Sequence, residues 1–134
     1  MRLKSEFKTI RSELASVMAE IDALSKTIDE KVEEKYPNWI EKVKNGDDGF
    51  EELMIKVIEY EDRLKEELGY NSLRKRKAEL EKRLVEVGFS LVKRSPEWNG
   101  DSDVERLIQK FLDDDSSVFP YRDEIVDLFM RVSL

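Results

Sequence analysis

The chain has 134 residues, 41% of them charged and 40% hydrophobic, with a net charge of −7, 5 Gly and 3 Pro. It contains neither cysteine nor histidine, which excludes disulfides, thiolate zinc sites, thiol nucleophiles and histidine bases or metal ligands. So much charge with so few helix breakers predicts one all-α domain, and any chemistry would have to run on carboxylates, amines or hydroxyls.

No apolar run approaches the roughly 18 residues that a membrane span needs, and Met1 to Glu6 lack the apolar core of a signal peptide. A cytoplasmic protein without membrane contact is expected.

The first stretch carries the most specific pattern. Leu3, Phe7, Ile10, Leu14, Val17, Ile21, Leu24 and Ile28 alternate at spacings of four and three, an uninterrupted heptad seam. Phe7, Leu14, Ile21 and Ile28 take position a, with Leu3, Ile10, Val17 and Leu24 at d. Glu6, Glu13 and Glu20 flank them at g, and Lys4 and Arg11 at e. Glu6 is thereby placed to meet Arg11 of a parallel neighbour. Such exposed pairs are worth roughly 0 to 1 kcal/mol, whereas each buried seam residue is worth about 1.5 to 3 kcal/mol, so the apolar seam must carry the packing.

Tyr36-Pro37 ends this helix, because proline disfavours a helical residue before it. Asn38 to Lys44 reads as a short helix with Trp39, Ile40 and Val43 on one side, and Asn45 to Gly49 as a loop. A second long helix follows, capped by Asp47 or Asp48, with Phe50, Leu53, Val57, Tyr60 and Leu64 inward and Met54, Ile58 and Leu68 widening the seam. Gly69 with Asn71-Ser72 predicts a break. A third helix then turns Leu73, Leu80, Leu84 and Val87 inward; one continuous helix with a phase slip is the rival.

A first helix of about 33 residues spans roughly 50 Å, and the next two together roughly 52 Å. The match predicts an elongated bundle in which residues 1–88 form a long-helix hairpin. After Gly88, Phe89 to Val92 has the composition of a short extended segment. Ser102 with Glu105, or Asp103, opens a helix with Val104, Leu107, Ile108, Phe111 and Leu112 on one face. Asp113 to Ser117 reads as a solvated link, and Phe119-Pro120 starts a last helix with Ile125, Leu128, Phe129 and Val132 inward. Residues 89–134 thus form a C-terminal helical extension of the single domain.

Two groups of side chains are candidates for binding. Residues 72–94 hold eight basic side chains against three acidic ones, a balance of +5 that leaves −12 for the remainder. Arg74, Lys75, Arg76, Lys77, Lys82, Arg83, Lys93 and Arg94 form a candidate nucleic-acid surface, or they contact the chain's own acidic helices. Glu30-x-x-Glu33 and Glu59-x-x-Asp62 form the second group. Their layout resembles that of the all-α, magnesium-dependent nucleotide pyrophosphatases, which implies hard oxygen ligands for Mg²⁺. Both pairs fall at c and f of their seams, facing outward, so no metal, cofactor or catalytic residue is expected.

The order of a long coiled-coil start, Gly88, Lys93-Arg94, Pro96 and a short helix from Asp103 resembles in layout the phage host-nuclease inhibitors that sheathe duplex DNA ends. That likeness implies a nucleic-acid partner. Trp39 and Trp98 read as caps on the core, and Met18 and Met54 as core filler. The reading that these residues favour is a non-enzymatic helical interaction protein, dimeric through whatever the first helix (Met18, Val32) or the C-terminal helices leave uncovered. A nucleic-acid-associated protein is the alternative, and a nucleotide hydrolase ranks last.

Overall fold

The computed structural model describes residues 2–134, and every regular element in them is helical. Six α-helices follow in order: α1 (Arg2–Lys35), α2 (Trp39–Lys44), α3 (Phe50–Glu67), α4 (Tyr70–Arg94), α5 (Ser102–Leu112) and α6 (Arg122–Arg131), with a 3₁₀ turn (Ser116–Tyr121) before α6. The long first helix packs on α4 and on the short C-terminal helices. The chain forms two compact units, one of Met1–Ser16 with Arg76–Leu134 and one of Val17–Lys75, so α1 and α4 each contribute to both.

In the unit of Val17–Lys75, Ile28 and Val32 of α1 bury against Val57 and Leu64 of α3. Tyr36, Trp39, Tyr60 and Tyr70 close around them, Tyr36 and Tyr60 meeting edge to face at 6.0 Å. The Lys35 ammonium lies over the Tyr60 ring, 4.2 Å from its centroid, a cation–π contact on an exposed side chain. Glu33 accepts the backbone N–H of Asn38 at 2.7 Å and so holds Asn38 in the left-handed turn (φ 59°) that joins α1 to α2. The break between α3 and α4 falls at Gly69, whose φ of +79° suits glycine and ends α3 as the sequence predicted.

In the other unit the start of α1 runs antiparallel to α4. Glu13 pairs with Arg76 while Glu6, a heptad earlier, pairs with Arg83 further along α4. Phe7, Leu14, Leu84, Val85 and Phe129 are all buried in this unit, and the Phe7 and Phe129 rings both lie against Gly88 of α4. Arg11 donates to the carbonyls of Met130 (3.3 Å) and Val132 (2.7 Å) and lies over the Phe7 ring at 4.9 Å. A fixed cation thus caps the carbonyl end of α6, where the helix dipole is negative.

The segment Phe89 to Val92 is helical, not extended as its composition predicted. Gly88 does not end α4: a Cβ there would stand 2.5 Å from a Phe129 ring carbon and 2.8 Å from one of Phe7. Two rings from distant segments need a bare Cα in mid-helix, and burial of Leu84, Val85, Gly88 and Phe89, one helix face at spacings of one, three and one, overrides the local strand preference. Trp98 then meets Phe89 edge to face at 5.5 Å.

The capping predictions also shift. Gly49, not Asp47 or Asp48, precedes α3, and no side chain caps it. Tyr70 already begins α4, which puts Asn71 and Ser72 inside its first turn. Asp101 caps α5 by accepting the N–H groups of Asp103 (2.9 Å) and Val104 (3.3 Å), the role predicted for Ser102 or Asp103. Phe119 and Pro120 lie in the 3₁₀ turn, capped by Asp115 through Ser117, and α6 starts only at Arg122. In α6, Ile125 and Phe129 are buried and Val132 half-buried as predicted, but Leu128 is 55% exposed and Val126 is buried in its place.

Candidate interaction surfaces

The seam of α1 is covered within the chain. Phe7, Ile10, Leu14, Ile21 and Ile28 are buried and Leu3, Val17 and Leu24 are half-buried. Of the two residues expected to be left uncovered, Met18 is 37% exposed and Val32 only 2%; Met18 and Met54 are thus not the core filler that their residue type also suggested. The flanking charges are also used internally. Glu6 pairs with Arg83 and Arg11 caps α6, so neither is free for the pair with a parallel neighbour.

The basic segment divides in the same way. Arg76 pairs with Glu13, Lys77 with Glu81, Lys82 with Asp114, Arg83 with Glu6 and Lys93 with Glu105. Among the described residues only Arg74, Lys75 and Arg94 of the predicted eight have no ion-pair partner. The positive run therefore largely neutralises the chain's own carboxylates. Glu81 is the one buried charged residue of this set, 5% exposed, with Lys77 at 3.9 Å and Arg122 at 3.8 Å. Arg122 also reaches Asp114 and lies 4.6 Å above the Phe111 ring, so one guanidinium ties α4, the link after α5 and α6 together.

Glu30, Glu33, Glu59 and Asp62 are all exposed, and among the described residues no three carboxylates come together in a way that could hold a metal ion. No helix is long and apolar enough to cross a membrane.

Two exposed surfaces among the described residues bear on binding. On α3, Met54, Ile55 and Ile58 are 38, 55 and 51% exposed and lie within one turn on a face beside the buried Val57 and Leu64. The reading of the sequence placed Ile58 beside the seam and did not single out Ile55, since nothing in a run of apolar residues says how wide the covered stripe will be. The second surface is a groove of about 300 Å³ between α5 and the 3₁₀ turn, which Arg106, Lys110 and Tyr121 help to line.

Beside that groove, Asp115 is held below its ordinary value of 3.8 by hydrogen bonding from Ser117, first its side chain and then its backbone N–H at 2.8 Å. On α3, the bond to Glu61 at 2.9 Å raises Lys65 above its ordinary 10.5.

Compared with known proteins, the chain matches no family model, no curated protein and no solved structure.

Proposed function

We propose that the protein is a non-enzymatic helical interaction protein, an adaptor, scaffold or inhibitor, that associates with a second copy of itself by coiled-coil-type packing of α3. The cysteine-free composition suits a reducing cytoplasm. The observation that carries the reading is the exposed Met54, Ile55 and Ile58 stripe, beside a first seam already covered within the chain. Clustered exposed aliphatics on one helix face mark a contact site more often than scattered ones do.

A second copy fits the charge pattern. Glu51, Ile58 and Lys65 recur every seven residues on one line of α3. Antiparallel pairing about Ile58 sets Glu51 of each copy near Lys65 of the other, where the ammonium is shared with that copy's own Glu61 at 2.9 Å, a self-complementary arrangement as two-fold symmetry requires. At 18 residues, α3 is about 27 Å long, and a stripe about 10 Å wide offers under roughly 300 Å² per copy against the roughly 800 Å² of a standard interface. The dimer is therefore weak, with a dissociation constant on the order of 0.1 mM.

Sedimentation over a concentration series tests this. Wild type should move from 15.8 kDa toward twice that mass, while Ile58→Glu stays monomeric with unchanged helicity. A wild type that is monomeric at millimolar concentration, or a variant that dimerises equally, would refute it.

A further inference from the structure

The link from α5 to α6 holds two short elements rigidly on either side of a groove. Asp101 caps α5, and Asp115 caps the 3₁₀ turn through the Ser117 N–H at 2.8 Å. Pro120, inside that turn, fixes the backbone next to Tyr121. Val118, 3% exposed, and the half-covered Leu107 give the groove an apolar floor, and the Tyr121 ring stands beside it 54% exposed.

Arg106 and Lys110 lie one turn apart on the α5 side. Among the described residues neither side chain has an ion pair or a hydrogen bond, although the Lys110 charge also acts on Asp115, whereas five of the eight basic residues of 74–94 are paired. Arginine and tyrosine around an apolar pocket are the residue types that dominate binding energy at protein interfaces.

We infer that this groove docks an acidic peptide segment with an aromatic or large aliphatic anchor. The anchor packs on Leu107, Val118 and the Tyr121 ring, and flanking carboxylates meet Arg106 and Lys110. The cations specify an acidic partner, and the apolar floor specifies an anchor between its charges. A single-stranded nucleic acid fits less well. One exposed ring offers no succession of stacking platforms for successive bases, and the apolar floor has room for a single anchor.

The test is fluorescence anisotropy of the full chain with a labelled synthetic peptide of repeated Glu-Glu-Phe. Repeated Lys-Lys-Phe and an oligothymidylate strand serve as the other arms. The acidic peptide should bind and the basic one should not. Arg106→Glu with Lys110→Glu should weaken binding at least about tenfold, Lys110→Gln and Tyr121→Ala each about threefold to fivefold, with helicity unchanged. Absent binding of the acidic peptide, equal affinity in these variants, or tighter binding of the oligothymidylate through the same residues would overturn the inference.

Discussion

Gly88 shows how much a single missing methyl group decides. Alanine would improve helix propensity by about 1 kcal/mol, but its Cβ meets aromatic carbons at 2.5 and 2.8 Å that belong to buried, well-packed rings. Forcing volume into such a site costs about 1 to 3 kcal/mol, so packing outweighs propensity. Gly88→Ala should lower stability, by up to about 2 kcal/mol, in urea unfolding followed by circular dichroism; a gain in stability would mean that Phe7 and Phe129 are not lodged against α4. Asp115 makes a pH prediction at the same scale. Its folded pKa is depressed below 3.8, so its contribution is present above the unfolded value and is lost as pH falls through the lower folded value. Carbon-detected titration should place Asp115 below the ordinary carboxylate range, and Ser117→Ala should move it back up.

Among the elements, α1 separates residues that carry stability from those that do not. Leu14 is fully buried and Met18, one turn later, is 37% exposed. Leu14→Ala should cost about 2 to 5 kcal/mol and Met18→Ala under about 0.5 kcal/mol, as measured by denaturant unfolding. Because the partners of Leu14 lie in the same chain, the unfolding midpoint of dilute protein should not depend on its concentration. The seam of α1 was legible because periods of four and three recur without a fault, and the ends of α1 and α3 were legible because Pro37 and Gly69 act locally. The continuation of α4 through Val92 was not, since Gly followed by Phe-Ser-Leu-Val reads locally as a helix end and a strand, and only Phe7 and Phe129 reverse that reading. The caps were blurred for a simpler reason: Asp101, Ser102 and Asp103 are all able to cap, and the backbone selects one. Of the interaction surfaces, the α5 groove joins residues 103 to 121 through a turn whose geometry periodicity does not reveal.

At the scale of the molecule, the basic run of residues 72–94 is mainly paired within the chain. A basic run with a balance of +5 in a chain of net charge −7 looks like an invitation to nucleic acid, yet Arg76, Lys77, Lys82, Arg83 and Lys93 each face a carboxylate of the chain itself. Exposed pairs of this kind contribute roughly 0 to 1 kcal/mol apiece, so they set register more than stability. The seam is used up in the same way, which is why α3, not α1, is the face proposed for association. Since the chain has no cysteine of its own, one oxidation experiment separates the two faces. Ile58→Cys, at the proposed two-fold axis, should form a disulfide-linked dimer under mild oxidation at high protein concentration, while Met18→Cys on α1 should stay monomeric. Efficient cross-linking through Met18→Cys with none through Ile58→Cys would contradict the account.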